Sequence, residues 1–432
     1  MKNTDQVVRH NVGICLFLLS VTGAVLGCSE KGRRNDLRPL SEGSFDDEYQ
    51  QHIVITEDSI KPFEVESEEA CLHVELPQKV QPTRLDTVFS SYSFVRLETS
   101  EKCLVGHIDR IIKCPGCYCI LDRDNANVLI FEEDGKFRCK LGSKGHARNE
   151  HLDAWNMAYD EKNNHIVLLD LTGRRLMSYD LMGNLKKVAS LFFLYTDMAF
   201  LGDDMLCLTG TSYNAFSDII DLSRLVLADR MQRPLRTGFP TTERARNEFC
   251  QGEWMMQYKD KAYFTDMVSD TLWEVSGECM SPLLVMEVNG KPRFTQDEKD
   301  AMTDRLYHER DLSLPHGMMF NATPDYVLLH VGLPREGGLV TCIVASRQTG
   351  SQKLLGLHCE ESRLGDYLFP NGIDGVLDDK TLLSVLSPTT VLPVVENNSK
   401  VMKSMTDDER RMFQNLQPDD NPVLMLSRLA DF

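Results

Sequence analysis

The stretch that decides the fold is ILDRDNANVLIFEEDGKF, residues 120–137, because its pattern returns 48 residues later as LLDLTGRRLMSYDLMGNL, residues 168–185. Both copies contain an apolar run, an aspartate (Asp122 or Asp170), a polar turn, a second apolar run and a turn with glycine. A constant offset at several positions indicates a supersecondary unit that the chain uses more than once. Because each apolar run is short and bounded by turn residues, the unit is predicted to be a set of short antiparallel strands.

A third copy of the pattern supports this interpretation. Its apolar run begins at Leu272, six residues after Asp266, which is the spacing found in the first two copies. Four-stranded propeller blades have periods of about 40 to 50 residues, whereas leucine-rich repeats are shorter. Six such blades need roughly 290 of the 432 residues. We therefore predict an all-β fold, a six-bladed β-propeller of four-stranded antiparallel blades, with seven blades as the alternative.

The remaining blades follow the pattern less closely. Their predicted strands are apolar runs of a strand's length, at residues 205–208 and 224–227 in a third blade, at 326–331 and 339–344 in a later one, and at 375–377 and 381–386 in the last.

Two short helical insertions and a final strand complete the predicted domain. Capping-box sequences begin helices at about residues 295–309 and 406–416, and Pro418 ends the second. Residues 421–429 then form an apolar strand at the end of the chain. A propeller ring commonly closes by pairing strands from both termini, since an open sheet edge promotes aggregation. The last strand is predicted to close the ring by pairing with the first blade, where the blades begin at about Val95, because the edge of that blade would otherwise stay open.

The charge of the chain argues against nucleic acid as a partner. The formal net charge is −18 at pH 7, and the 47 Lys and Arg residues are scattered along the sequence. Binding to a phosphate backbone requires clustered cations. No nucleic-acid partner is therefore predicted.

The N-terminus has the features of an export signal. Lys2 and Arg9 precede an apolar run, residues 12–26, which is too short for a membrane span with these flanks. The run ends in Val-Leu-Gly before Cys28, which resembles a bacterial lipobox, where the cysteine thiol is diacylated. The alternative is an ordinary secretory signal in which Cys28 is incidental.

These features predict three segments. Residues 1–27 form a lipoprotein signal peptide, residues 28–70 carry the lipidated cysteine and a flexible tether, and residues 71–432 form the propeller. The tether is predicted because the composition there is polar, first basic and then acidic. Acyl chains on one cysteine anchor a protein stably, at about 0.8 kcal/mol per buried methylene. The membrane is therefore an expected partner of the mature chain.

The chain has thirteen cysteines, and Cys15 and Cys28 leave an odd number in the exported part. Cys114 and Cys117 have the spacing of zinc and redox sites, but no second pair lies at zinc spacing, and the Pro-Gly between them favours a turn over a helix start. We predict a hairpin turn whose two thiols can form a local disulfide. Four other cysteines lie in apolar strand patterns and are predicted to be buried thiols: Cys119, Cys139, Cys207 and Cys342.

One loop between the first two blades gathers polar side chains that could bind a ligand. A solvated crossing loop without a ligand is the alternative. The candidates are Lys144, His146, Arg148, Glu150 and His151.

The repeated aspartates are better explained by hydrogen bonds at turns and strand ends than by catalysis. The segment that begins at Asp122 resembles a calcium loop but lacks its glycine and its distal glutamate. The chain contains no GxSxG elbow, HExxH helix, phosphate loop or Rossmann fingerprint. No catalytic residue, metal ligand or cofactor is assigned.

Six motifs follow one another along the predicted propeller, at residues 97–99, 108–111, 120–122, 128–136, 270–272 and 421–424. Together they resemble the six-bladed β-propeller lipoproteins of Bacteroidetes, relatives of NHL-repeat propellers. The resemblance covers about residues 72–429. One departure concerns the loop after the first blade, where the family tends to have a Gly-Gln-Gly-Pro-Gly-Glu-Tyr-like sequence and this chain has His146 to Asn149 between Gly145 and Glu150.

The resemblance implies an envelope protein of largely unknown activity. The leading hypothesis is a lipid-anchored binding or scaffold module of the bacterial cell envelope, and the protein is not expected to be an enzyme. The outer membrane is the expected membrane, with the domain in the periplasm or at the cell surface. Its partner would be a protein or a glycan. The alternative is a hydrolase or lyase with a metal such as calcium in the central channel, where several Asp, Glu, Asn or His side chains would have to meet at one ion.

Overall fold

The structure, a computed structural model, describes residues 59–66, 71–76, 84–208, 220, 223–240, 255–265, 269–291, 295, 297–298, 301, 319–333, 339–355 and 373–432. Six antiparallel four-stranded blades form a propeller ring, so the predicted fold class and blade number are confirmed. The signal peptide, Cys28 and most of the predicted tether lie outside the described residues.

Four strands precede the first complete blade, and the blades then follow in chain order from the inner strand outward. The early strands are β1 (Lys61–Pro62), β2 (Glu64–Val65), β3 (Leu72–Glu75) and β4 (Phe89–Arg96). Blade 1 contains β5 (Arg110–Cys114), β6 (Cys117–Asp122), β7 (Asn127–Glu132) and β8 (Phe137–Lys140); blade 2 contains β9 (Asn156–Asp160), β10 (His165–Asp170), β11 (Arg175–Asp180) and β12 (Leu185–Ser190); blade 3 contains β13 (Asp197–Leu201), β14 (Asp204–Leu208), β15 (Ser223–Asp229) and β16 (Pro234–Pro240).

The second half of the ring has the same plan. Blade 4 contains β17 (Met255–Tyr258), β18 (Lys261–Phe264), β19 (Thr271–Ser276) and β20 (Cys279–Glu287); blade 5 contains β21 (Met319–Ala322), β22 (Tyr326–Leu333), β23 (Leu339–Ser346) and β24 (Gln352–Leu355); blade 6 contains β25 (Gly375–Val376), β26 (Thr381–Leu386), β27 (Val423–Leu429) and, as its outer strand, β4.

The core lies between blades, because each blade buries both of its faces against a neighbour. Every residue of β6 is buried. Leu121 and Val128 of blade 1 pack in one cluster with Leu168 and Met177 of blade 2. This arrangement explains why the middle strands are continuous apolar runs and do not alternate.

The repeated glycine turn joins each of the first two blades to the blade before it. Gly135 has φ 84° and Gly183 has φ 85°, in the left-handed region that favours glycine. A Cβ atom at Gly135 would lie 2.1 Å from the Arg96 carbonyl oxygen, at the end of the outer strand of blade 6. Glycine is therefore required at position 135 both by the left-handed turn and by the close approach of the outer strand of blade 6.

The repeated aspartates hold the crossing loops in place. Asp122 accepts hydrogen bonds from the Gly106 backbone N–H and the Asn125 side chain, both at 2.8 Å. Asp170 accepts hydrogen bonds from two backbone N–H groups of the next crossing loop, both at 3.2 Å, and from the Arg175 Nε at 2.8 Å. The structural interpretation of these two is confirmed, whereas Asp266 lies outside the described residues.

The C-terminal strand closes the ring, as predicted. β27 pairs with β4 from Val423 opposite Arg96 to Leu429 opposite Phe89. It also pairs along its other edge with β26, so it lies inside blade 6. Asn421, just before β27, fixes the first crossing loop, because its side chain accepts from the Val105 N–H and donates to two carbonyls of that loop.

Three helices connect β26 to β27: α1 (Pro388–Asn397), α2 (Ser399–Ser404) and α3 (Asp407–Gln414). The sequence predicts α3, and its capping box is present, with Thr406 and Glu409 bonded reciprocally. α1 and α2 are not predicted, although Ser387 as N-cap and Pro388 at the first helical position are a recognisable start signal. At the other predicted helix the Thr295 and Glu298 bonds are present, and most of it lies outside the described residues. Among the described helices, none has the length and apolar character needed to cross a bilayer.

The predicted flexible tether is wrong in its last part. β1 pairs in parallel with the outer strand of blade 3, and β2 and β3 pair in parallel with the outer strand of blade 4. Phe63, between β1 and β2, is buried in the cluster that joins these two blades. The polar composition does not indicate these strands, because one buried aromatic side chain and a few backbone hydrogen bonds are enough to fix the segment.

Candidate functional site

One arginine crosses the propeller axis where the inner strands of blades 1 to 4 begin. Arg110 donates from Nη1 to Asn156 Oδ1 at 2.5 Å and to Asp197 Oδ1 at 2.7 Å. Its Nη2 donates to the Met255 carbonyl at 3.2 Å. Arg110, Asn156, Asp197 and Met255 are the first residues of β5, β9, β13 and β17. A single guanidinium therefore links four blades.

Asp197 is the carboxylate at the centre of this network, and its side chain is only 3% exposed. Its Oδ1 also accepts from the Asn156 amide at 3.0 Å and from the Met198 N–H at 2.8 Å. Its Oδ2 is buried and has no hydrogen-bond partner among the described residues. The guanidinium compensates the buried charge, as a buried carboxylate requires.

The axial residues do not fit the metal centre of the alternative hypothesis. Calcium takes six to eight oxygen ligands. The Arg110 cation lies against the oxygen atoms of Asp197 and Asn156 that an ion would need. In the part of the chain that the structure describes, no group of three His, Cys, Asp or Glu side chains is arranged to hold a metal ion. No step of a metal-dependent hydrolase or lyase is derived from this site.

Side chains also cross the axis where the inner strands end. Gln257 donates to the Tyr159 carbonyl at 3.1 Å and accepts from the Phe200 N–H at 3.1 Å, so it joins blades 2, 3 and 4. The Tyr258 hydroxyl donates to Asp379 of blade 6 at 2.5 Å. The axis is thus crossed by polar side chains at both ends, which strengthens the ring.

The predicted ligand loop lies between β8 and β9, at the junction of blades 1 and 2. A parallel bridge joins Lys144 and His151 at its base. The Gly145 N–H donates to the His151 carbonyl at 3.0 Å, and the His151 N–H donates to the Ser143 carbonyl at 2.9 Å. These bonds give the loop a defined backbone conformation.

Two of the five candidate side chains hold this loop. The His151 ring is fully buried, with Nε2 2.8 Å from the Ala126 carbonyl of blade 1. The Glu150 carboxylate accepts from the Ala147 N–H at 2.9 Å, and the Glu150 carbonyl accepts from Arg175 of blade 2 at 2.6 Å. His151 and Glu150 therefore serve the junction of the two blades and do not extend into solvent.

The other three candidates are exposed, Lys144 at the base of the loop and His146 and Arg148 beyond it, and we call these three residues the basic tip. The structure thus divides the predicted set into a structural pair and a solvent-facing basic trio. Whether this tip binds a ligand stays a prediction.

The predicted hairpin at Cys114 and Cys117 is confirmed, with the two cysteines opposite each other across the Pro-Gly turn. Both are free thiols in the structure, so the local disulfide stays a prediction. The Cys119 Sγ lies 3.6 Å from the Cys114 Sγ, which brings a third thiol into the group. Cys119, Cys207 and Cys342 are buried as predicted, whereas Cys139 is half-buried.

Hydrogen bonding within the group differentiates the three thiols. Bonds from the Cys114 and Cys119 thiols lower the pKa of Cys117, with a further contribution from the positive charge of Arg138. Hydrogen bonds with the Cys114 and Cys117 thiols, together with burial, raise the pKa of Cys119, and the hydrogen bond with Cys117, together with burial, raises the pKa of Cys114. The group therefore favours one thiolate, centred on Cys117, that two thiol donors stabilise.

A surface pocket of about 460 Å³ reaches this group of thiols. Cys114 and Pro115 form part of its wall in blade 1, together with Lys113. Tyr159 and Glu161 form the wall in blade 2. Cys114, although only 2% exposed, is the cysteine of the group that contributes to the wall of the pocket.

The axial network and the place of Cys119 in the thiol group are not predicted from the sequence. Arg110, Asn156 and Asp197 share only their position at the start of an inner strand, and no motif marks them. Cys119 has the visible signal, because it follows Cys117 by two residues on a strand and so projects from the same face.

Comparisons with known proteins agree with the fold. Residues 71–428 match the family model described as domain of unknown function DUF4934. A solved structure of a Bacteroides fragilis protein described as exported is similar with TM-score 0.69 and 15% identity, over 84% of this chain and 100% of that one. A DUF4221 member from Bacteroides vulgatus matches with TM-score 0.46 and 10% identity, over 79% and 97%. A search of curated proteins gave no match.

Proposed function

Since the chain belongs to the DUF4934 family and folds as a six-bladed propeller, we propose that it is a lipid-anchored binding or scaffold module of the bacterial cell envelope. In this proposal the propeller presents a loop surface to a protein or glycan partner and catalyses no reaction.

The anchoring part of the proposal rests on the N-terminus. The apolar run before Cys28 and the small residues next to it match the requirements of lipoprotein processing. The similar Bacteroides fragilis protein is described as exported, which agrees with an envelope address. The first strand of the described residues begins at Lys61, about thirty residues after Cys28.

The observation that carries the binding part is the ordered basic tip of the loop between blades 1 and 2. Lys144, His146 and Arg148 are exposed on a backbone that is bonded to both blades. Because the loop is already ordered, it loses less conformational entropy when a partner binds. Loops positioned by a rigid scaffold are the usual place for binding residues.

The charge of the tip specifies the chemistry of the partner. The chain has a net charge of −18, so a small basic surface contrasts with its surroundings and favours an anionic contact. The partner is expected to present carboxylates or other acidic groups to this tip. Because the tip is exposed, its contribution should fall at high salt.

The proposal is tested by capturing partners from detergent-solubilised membranes with the wild-type protein and with a Lys144→Ala/His146→Ala/Arg148→Ala variant. A specific partner should be retained by the wild type and reduced about tenfold or more for the variant, which corresponds to about 1.4 kcal/mol. Quantitative mass spectrometry of the eluates gives the ratio.

The matched control replaces three exposed lysines of blade 2, Lys162, Lys186 and Lys187, by alanine. This control changes the net charge of the protein by at least as much as the loop variant does, and it should still retain the partner. Equal retention of the same proteins by the two triple variants, with unchanged melting temperatures, would contradict the proposed binding surface.

A further inference from the structure

The three thiols of the blade 1 hairpin lie on one face of the sheet. Cys114 and Cys117 are opposite each other on neighbouring strands, and Cys119 is two residues beyond Cys117 on the same strand. Residues at i and i+2 of a strand project to the same side. The Cys119 Sγ is 3.6 Å from the Cys114 Sγ, so Cys114 has two thiol neighbours.

The geometry allows two disulfides and excludes a third. Opposite residues in an antiparallel pair have Cβ atoms about 4.5 to 5.5 Å apart, within a small adjustment of disulfide geometry. The Cβ atoms of Cys117 and Cys119 are about 6.6 Å apart along one strand and point in the same direction, whereas the Cβ atoms of a disulfide are about 3.8 Å apart, so this pair is excluded. Cys119 is diagonal to Cys114, and the 3.6 Å between their sulfur atoms is the observation that makes a bond between them possible. Cys114 is therefore common to both possible bonds, with Cys117 or with Cys119.

Access to the group comes from the pocket between blades 1 and 2. Cys114 and Pro115 line it, and Lys113 adds a positive charge beside the sulfur. Arg138 donates to the Gly116 carbonyl at 3.1 Å on the other side of the turn. Two cations next to a thiol group favour the thiolate, which is the nucleophile in disulfide exchange.

We propose that Cys114, Cys117 and Cys119 form a thiol–disulfide exchange site that takes up a small disulfide from the pocket. Cys114 attacks one sulfur of the disulfide while its proton passes to the Cys117 thiolate, and the first half of the disulfide leaves as a thiolate, which takes a proton from water. The Cys117 or Cys119 thiol then attacks the Cys114 sulfur, breaks the mixed disulfide, gives its proton to the second half and releases that half as a thiol. Two protein thiols are oxidised, and one disulfide is reduced to two thiols.

The third thiol distinguishes this site from a static structural disulfide. Whichever bond forms, the remaining cysteine stays within reach of the Cys114 sulfur and can exchange the bond between the two positions. The site therefore stays reactive after oxidation, whereas a lone pair at a hairpin turn would not.

The test uses the native protein, reduced, purified in detergent and treated with glutathione disulfide. Alkylation of free thiols and digestion with trypsin gives the peptide CPGCYCILDR, residues 114–123, which contains all three cysteines. The expected product is this peptide with one internal disulfide, which makes it two hydrogens lighter than the reduced form. It carries one alkylated cysteine and no glutathione. Cys279, a half-buried thiol on another hairpin, should instead carry a stable mixed disulfide with glutathione and so reports the extent of treatment.

Single substitutions locate the shared sulfur. Cys117→Ser and Cys119→Ser should each still form an internal disulfide in this peptide, whereas Cys114→Ser should not. The wild-type result needs no variant and remains decisive if a variant fails to fold.

Three outcomes would overturn the proposal. The wild-type peptide could retain three alkylated thiols when Cys279 is modified, or it could accumulate glutathione without an internal bond. Loss of the disulfide in Cys117→Ser, in a variant that melts as the wild type does, would show a simple Cys114–Cys117 pair.

Discussion

Asp374, near the start of the inner strand of blade 6, is exposed to solvent, although protein atoms surround its carboxylate on most sides. Its Oδ2 accepts from the Val385 N–H at 2.6 Å. Burial raises the pKa of Asp374 to about 6, against a smaller opposing effect from the charge of His107. The fold therefore favours the protonated form. Its contribution to stability is fully present below about pH 4 and is lost as the pH rises through about 6.

Asp374→Asn should stabilise the protein at neutral pH, because the amide oxygen can still accept from Val385 but cannot ionise. Because Asp374 is exposed, solvent screens part of this penalty, so the free energy of unfolding should rise by less than about 1 kcal/mol at pH 7.5, and the gain should shrink toward zero near pH 4. Denaturant unfolding of both proteins at the two pH values measures this. A variant that is no more stable than the wild type at pH 7.5 would show that the carboxylate is not penalised by burial.

Residues that act within one repeat can be predicted from the sequence, and residues that act between blades cannot. Asp122 and Asp170 recur at equivalent positions, so their role in local hydrogen bonds follows from the pattern. Arg110 contacts three other blades through residues 46 or more positions away along the chain. His151 appears as a surface ligand in the sequence, because the carbonyl that binds its ring is known only from the packing of blade 1.

The strand β27 is the element on which ring closure depends. It pairs on both edges and buries Val423, Leu424, Met425 and Leu429 in the clusters on either side of blade 6. Without it, β4 has no partner inside the blade, and Asn421 no longer fixes the first crossing loop.

Deletion of residues 421–432 should destabilise the whole propeller in one cooperative step. Loss of four buried apolar side chains, at about 2 to 5 kcal/mol each, removes about 8 to 20 kcal/mol, which is as large as the whole stability of a typical domain at about 5 to 15 kcal/mol. Thermal unfolding should show a melting temperature lower by more than about 10 °C, or no folded protein. Arg428→Ala, an exposed change on the same strand, is the control and should melt within a couple of degrees of the wild type. A truncated protein that did the same would show that the ring closes without β27.

Elements with an internal apolar pattern are predictable, and elements fixed by docking are not. The middle strands of every blade appear as apolar runs, and α3 begins with a capping box. β1 and β2 are two residues long in an acidic segment, and they form only because the outer strands of blades 3 and 4 offer free backbone groups. Composition alone therefore predicts a tether where the chain in fact binds the ring.

The described residues form a ring whose axis is crossed by polar side chains, and strands β1 to β3 add to the outer edges of blades 3 and 4. Both features reinforce the contacts between blades, as expected for a rigid platform. A platform of this kind suits binding through loops, and the ordered basic tip at the junction of blades 1 and 2 is the loop surface that we propose for it.

Photo-crosslinking in intact cells tests this account most directly. A photoreactive residue replaces Asn149, which is exposed in the tip, or Met231, which is 40% exposed on a turn of blade 3. The account predicts a discrete adduct from position 149 in the membrane fraction and none of that mass from position 231. In a Cys28→Ser background the protein should leave the membrane fraction. The account is contradicted if position 149 gives no adduct, or if both positions give the same one.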